Sequence, residues 1–86
     1  MKQYYLLDLE RTESSPLLIW WKPNNHGYTT NLDEAGKYNE DTIINNPIQY
    51  NDKDTKIIPC EEVDKISERV IQKSAMIGHF MKKHKI

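Results

Sequence analysis

Trp20-Trp21-Lys22 places two indoles and a lysine side by side. Successive strand residues point to opposite faces, so a one-sided sheet buries one indole and leaves the other free. A free indole beside a lysine can stack on a base, a nucleotide or a partner's side chain. Helices on both faces would bury both. His26, His79 and His84 are the only imidazoles. A catalytic zinc takes about three protein ligands, and His79 and His84 do not share a helix face well, so no metal site is expected. Cys60 follows Pro59 and precedes a helix start. A helix N-terminus lowers a thiol pKa, but no histidine stands near it in sequence to act as base, and a buried structural cysteine is expected. Asp33, Glu34, Glu40 and Asp41 sit at two helix starts, where capping and the helix dipole account for them. No Gly-rich phosphate loop or nucleophile elbow occurs. The residues predict no catalytic group, no cofactor and no enzyme. The tail Lys82-Lys83-His84-Lys85 can neutralise a few phosphates; without interleaved aromatics it reads as a solvated helix end.

These residues need elements to hold them. Residues 3–9 are aromatic and aliphatic and run into a charged stretch, Glu10 to Pro16, which reads as strand then turn. Residues 17–22 form a second apolar run, too short for a helix and stopped by Pro23. Pro23-Asn24-Asn25-His26-Gly27 reads as a turn, since Gly27 supplies positive φ and asparagine tolerates it. Tyr28-Thr29-Thr30 then returns as a third strand of an antiparallel meander. Asn31 caps a single helical turn closed by Gly36. Asn39 caps a second short helix, Glu40 to about Ile44, stopped by Asn45-Asn46-Pro47. Residues 48–55 read as polar loop, and Lys56-Ile57-Ile58 as the last strand.

Val63, Ile66, Val70, Ile71, Ile77 and Met81 recur at helical spacing, with acids at the start and lysines at the end. The spacing predicts a helix from about Glu61 to Lys82, ~33 Å long. Such a helix outruns strands of ~17–20 Å. Its distal residues Met76, Ile77, Phe80 and Met81 then need another cover, and self-association through this helix supplies one. The predicted fold is α+β: an antiparallel sheet of three to four strands packed on a long C-terminal helix, with one or two short helices after the third strand. Residues 1–66 form the β-rich core and 67–86 the helical extension of a single domain. One core is expected from Leu6, Leu18, Trp20, Tyr28, Ala35, Ile57, Val63, Ile66 and Val70.

The 86 residues carry 12 basic and 13 acidic side chains, which excludes binding to nucleic acid by bulk charge. Charge is unevenly spread: residues 1–60 hold 6 basic and 9 acidic groups, residues 61–86 hold 6 and 4. A lone cysteine excludes an internal disulfide framework. No apolar run approaches the ~18 residues of a membrane span, and the N-terminus turns acidic too early for a signal peptide. A cytoplasmic protein without membrane contact is expected.

The stretch from Trp20 to Tyr38, WWKPNNHGYTTNLDEAGKY, resembles a group of small accessory proteins of bacteriophages and prophages. The shared features are a Trp-containing strand, a Gly-Tyr-Thr turn and an Ala-Gly-x-Tyr/Phe segment. An acidic helix and a short strand ending in Pro59-Cys60-Glu61 follow. The likeness covers about residues 4–66 and implies a setting, not an activity. Phage accessory proteins often act by binding a host protein, inhibitors of host defence among them. The leading expectation is therefore a non-catalytic binder of a host protein in the bacterial cytoplasm, with Trp21, Lys22, Asn25, His26, Ile77, Phe80 and Met81 as binding residues. The alternative is a nucleic-acid or nucleotide binder using Trp21, Tyr28, Lys82, Lys83 and Lys85. A structural subunit of a phage particle is a third reading.

Overall fold

The strand expected at the N-terminus forms as β1 (Gln3–Asp8) in a computed structural model that describes residues 2–50, 53–66 and 68–72. Asp8 ends the strand and caps α1 (Leu9–Glu13), its carboxylate accepting the Arg11 N–H at 2.9 Å. This helix replaces the turn expected there. Thr12, buried in it, accepts the Ile19 N–H at 3.0 Å and sets the return of the chain. Then follow β2 (Trp20–Trp21) and β3 (Tyr28–Thr29), which complete the expected antiparallel meander.

Asn31 caps the predicted single turn, Leu32–Glu34, accepting the Asp33 N–H at 2.9 Å. The sequence reading missed β4 (Tyr38–Asn39). Asn39 precedes α2 (Glu40–Asn45) as expected, but its side chain is held by Gln3 and makes no cap bond. Pro47 does stop α2, and it also opens α3 (Pro47–Tyr50), because proline is well tolerated in a first helical turn. Next come β5 (Thr55–Pro59) and α4 (Cys60–Asp64).

Five strands form the sheet among the described residues, one more than the upper expectation. β1 is its centre. β5 covers one edge from Tyr4↔Pro59 to Asp8↔Thr55, while β4 and β2 share the other edge end to end, at Tyr4↔Tyr38 and Leu7↔Trp20. Both faces of β1 are buried. Tyr5 and Leu7 pack with Leu18, Trp20, Ile58, Val63 and Ile71, and Tyr4 and Leu6 pack with Tyr38, Ile43, Tyr50 and Ile57. Two cores thus replace the single one expected, and the two-residue period of β1 separates them.

The long C-terminal helix is corrected. The chain leaves the helix after Asp64, closing it with a tight Ile66 N–H to Val63 carbonyl bond of 3.0 Å. The next carbonyls serve other elements: that of Arg69 accepts the Leu32 N–H at 2.7 Å and that of Ile71 accepts the Leu18 N–H at 2.8 Å. A carbonyl in a continuing helix would take the N–H four residues on instead. Gln72 bridges Leu17 in antiparallel fashion, an extended path that suits β-branched Val70 and Ile71. Ile71 is buried and Val70 is 42% exposed. Val70 and Tyr28, at 40% exposed, therefore leave the predicted core, whereas Leu6, Leu18, Trp20, Ile57 and Val63 are buried. Ile77, Phe80, Met81, Lys82, Lys83 and Lys85 lie outside the described residues, as does the part of the predicted helix that carries them. Among the described residues no helix is long and apolar enough to cross a membrane.

Candidate functional site

The β2–β3 hairpin brings Trp21, Lys22, Asn25, His26 and Tyr28 together. Its loop is shaped by left-handed backbone at Asn24 (φ 57°) and Asn25 (φ 60°), which asparagine adopts at lower cost than most residues. The Lys22 N–H donates to the Gly27 carbonyl at 2.8 Å and closes the loop. Asn25 and His26 are exposed, while Lys22 and Trp21 are half-buried. Lys22 makes no ion pair among the described residues.

Trp21 lies opposite Tyr28 in the ladder, and their rings meet edge-on, with centroids 6.0 Å apart at 82°. Tyr50 at 5.8 Å and Tyr38 at 6.5 Å complete the ring of aromatics around the indole. The buried Trp21 Nε1–H has no hydrogen-bond acceptor among the described residues. Arg11 extends the cluster outward: its guanidinium sits 3.7 Å above the Tyr28 ring and is anchored by Asp8 at 3.0 Å.

Tyr38 locks the loop to β4. Its hydroxyl donates to the Lys22 carbonyl and accepts the Asn25 N–H, the latter at 3.1 Å. Burial pushes the Tyr38 phenol up, against the opposing pull of the Asn25 N–H. The Asn25 Nδ2 donates to the Tyr50 hydroxyl at 3.1 Å. Gly36 seals the loop from below. Its N–H donates to the Trp21 carbonyl at 2.9 Å, and a Cβ there would lie 2.8 Å from the Pro23 backbone and from the Tyr38 ring. A cleft of about 230 Å³ opens beside these groups, with Pro23, Asn24, Lys37, Tyr38, Thr42 and Tyr50 in its walls.

On the opposite face Arg69 gathers a second polar cluster. It donates to Asp33 at 3.0 Å, to Asp64 at 3.2 Å and to the Tyr5 hydroxyl at 3.3 Å, and Tyr5 in turn donates to Asp64 at 2.8 Å. Burial, reinforced by the bond to Asp64, pushes Tyr5 up to about 12. Cys60 is buried at the start of α4, and burial pushes its thiol up to about 11, with Asp64 adding to the effect. Such a thiol is inert near neutral pH. Among the described residues no group of histidine, cysteine or acid side chains is arranged to hold a metal. His79 and His84 fall outside them.

Sequence reasoning located the hairpin and missed Arg11, Tyr38 and Tyr50 as parts of the site. Tyr38 and Tyr50 reach Trp21 only through the pairing of β4 with β1 and the packing of α3, which no local pattern announces. Arg11 carried a faint signal, three residues after an aspartate that ends a strand. No protein-family model matches this chain, and neither a curated protein nor a solved structure is found to be similar to it.

Proposed function

We propose that this is a non-catalytic, phage-type accessory protein that binds a host protein through the β2–β3 hairpin, with inhibition of an anti-phage defence system as its specific form. The carrying observation is the rigid loop that presents Lys22, Asn25 and His26 beside the half-buried Trp21. A large ring at the edge of a water-exposed rim of polar groups is the composition that interfaces favour. The resemblance of residues 20–38 to phage accessory proteins supplies the host setting. The non-catalytic reading is supported by the way the candidate reactive groups are occupied: the Tyr38 hydroxyl by Lys22 and Asn25, Asp64 by Tyr5 and Arg69, and the Cys60 thiol by burial. Base stacking on Tyr28 is less well supported, because Arg11 covers one face of that ring.

Capture from bacterial lysate tests this reading when wild type is compared with the Lys22→Glu/His26→Glu double variant. Both residues are at least partly solvent-facing, so the fold should survive. A protein retained by wild type and lost with the variant is the expected result. Identical captures, or affinity for DNA that falls steeply with salt in place of protein capture, would overturn it.

A further inference from the structure

We infer that the cleft between the Pro23–Asn25 turn and α2–α3 is a pocket for an acidic side chain of the bound protein. This rests on the host-binding reading above and names the chemistry of its contact. Among the described residues, the hydrogen-bonding side chains of the cleft wall are the Tyr38, Tyr50 and Thr42 hydroxyls, the Asn24 and Asn39 amides, and Lys37, all able to donate, although Tyr38 already gives its proton to the Lys22 carbonyl. No carboxylate belongs to that wall among the described residues. The Asn39 Oδ1 is already used by Gln3, at 3.3 Å, which leaves its amide N–H groups as its contribution.

Tyr50 is the decisive group. It is only 6% exposed, and its oxygen accepts from Asn25 at 3.1 Å. Its own O–H proton has no acceptor among the described residues. Tyr50 lines the cleft, so a carboxylate oxygen that enters it can accept this proton. Lys37 is the natural second donor. Its present partner, Asp64, is 3.9 Å away and both side chains are well exposed, so the pair is weak and the ammonium can turn to a better acceptor. An anion held by both would have one neutral and one charge-assisted hydrogen bond. The cleft, about 230 Å³, is smaller than the ~300–1,000 Å³ of pockets for drug-sized molecules. It suits the end of one side chain. The loop that forms its rim is already fixed by the Tyr38 bonds, so little ordering opposes binding.

The test is a titration of the full-length protein with N-acetyl-glutamic acid amide, followed by amide NMR shifts, with N-acetyl-glutamine amide as the neutral control. Saturable shifts at Asn24, Lys37 and Asn39 with the acid alone are expected, weakened about fivefold or more by Lys37→Gln and by Tyr50→Phe. If Tyr50→Phe lowers the melting temperature, Lys37→Gln, a change at an exposed position, carries the test. Equal response to acid and amide, shifts that never saturate, or unchanged affinity in Lys37→Gln would overturn the inference. The titration needs no host protein, so the two readings fail separately. Capture lost in Lys22→Glu/His26→Glu yet kept in Lys37→Gln removes the cleft and leaves host binding. Acid-specific binding to the cleft without specific capture removes host binding and leaves the cleft.

Discussion

On one face of β1, Tyr5 and Leu7 meet Trp20, Leu18, Ile58 and Val63, and the Arg69–Asp64–Asp33 cluster closes the rim. On the other, Tyr4 and Leu6 meet Tyr38, Tyr50, Ile57 and the half-buried Trp21, and the rim is a hairpin loop with a cleft beside it. Both faces exclude water from the same strand. They differ in how their polar groups are used. The first ties its tyrosine hydroxyl to a carboxylate and a guanidinium. The second leaves the proton of the cleft-lining Tyr50 hydroxyl without an acceptor among the described residues. A sealed face stabilises, whereas a face short of acceptors is where binding can improve on the free protein.

The largest test of this contrast is Trp20→Ala against Trp21→Ala. Trp20 is fully buried, so its truncation should cost about 3–5 kcal/mol in denaturant unfolding, with the half-buried Trp21 costing clearly less. Equal losses would mean that the second face is as sealed as the first. Gly36→Ala comes next. A methyl wedged 2.8 Å from backbone and ring should cost about 1–3 kcal/mol and disturb the amide shifts of the cleft while sparing those around Ile58.

A smaller loss appears only in alkali and belongs to the sealed face. Cys60 and Tyr5 both ionise later in the folded protein than in the unfolded chain. Each therefore stabilises the fold below its unfolded pKa and ceases to do so as pH rises through the folded value. For Cys60 the window runs from 9.0 to about 11, and for Tyr5 from 10.0 to about 12. Thermal melts across this range should show Cys60→Ala flattening the earlier decline and Tyr5→Phe the later one. The smallest effect is that of Tyr28→Leu, which removes the edge contact to Trp21 and the Arg11 stack, for about 0.5–1.5 kcal/mol.

What could be read from the sequence was local. The apolar runs at 3–9 and 17–22, with Pro23 and Gly27 between, are enough to place the meander and the loop that carries Trp21. The C-terminal segment shows the limit. Val63, Ile66 and Val70 repeat as a helix would, yet Ile71 becomes the buried residue, because the Arg69 and Ile71 carbonyls pair with Leu32 and Leu18. Those partners lie 37 and 53 residues away in sequence, beyond any periodicity. The same distance hid half of the site. Trp21 was visible as a conspicuous side chain, but the tyrosines that surround it come from β4 and α3. Tyr50 in particular sits in a stretch that reads as polar loop.

The central position of β1 also governs how the chain reaches its native state. β1 leaves the ribosome before the other four strands of its sheet, yet its two edges and two faces must all be covered, and its longest ladder is with β5, about fifty residues later. Until Thr55–Pro59 emerges, β2 and β4 can pair with only one edge of Tyr4-Tyr5-Leu6-Leu7, and the other edge of this apolar strand stays open in a growing polypeptide. Folding dominated by such distant pairing is slow, and its waiting intermediates are the ones that aggregate. Yield in the cell should thus depend on nascent-chain protection of these four residues, a demand made by topology and not by the finished molecule.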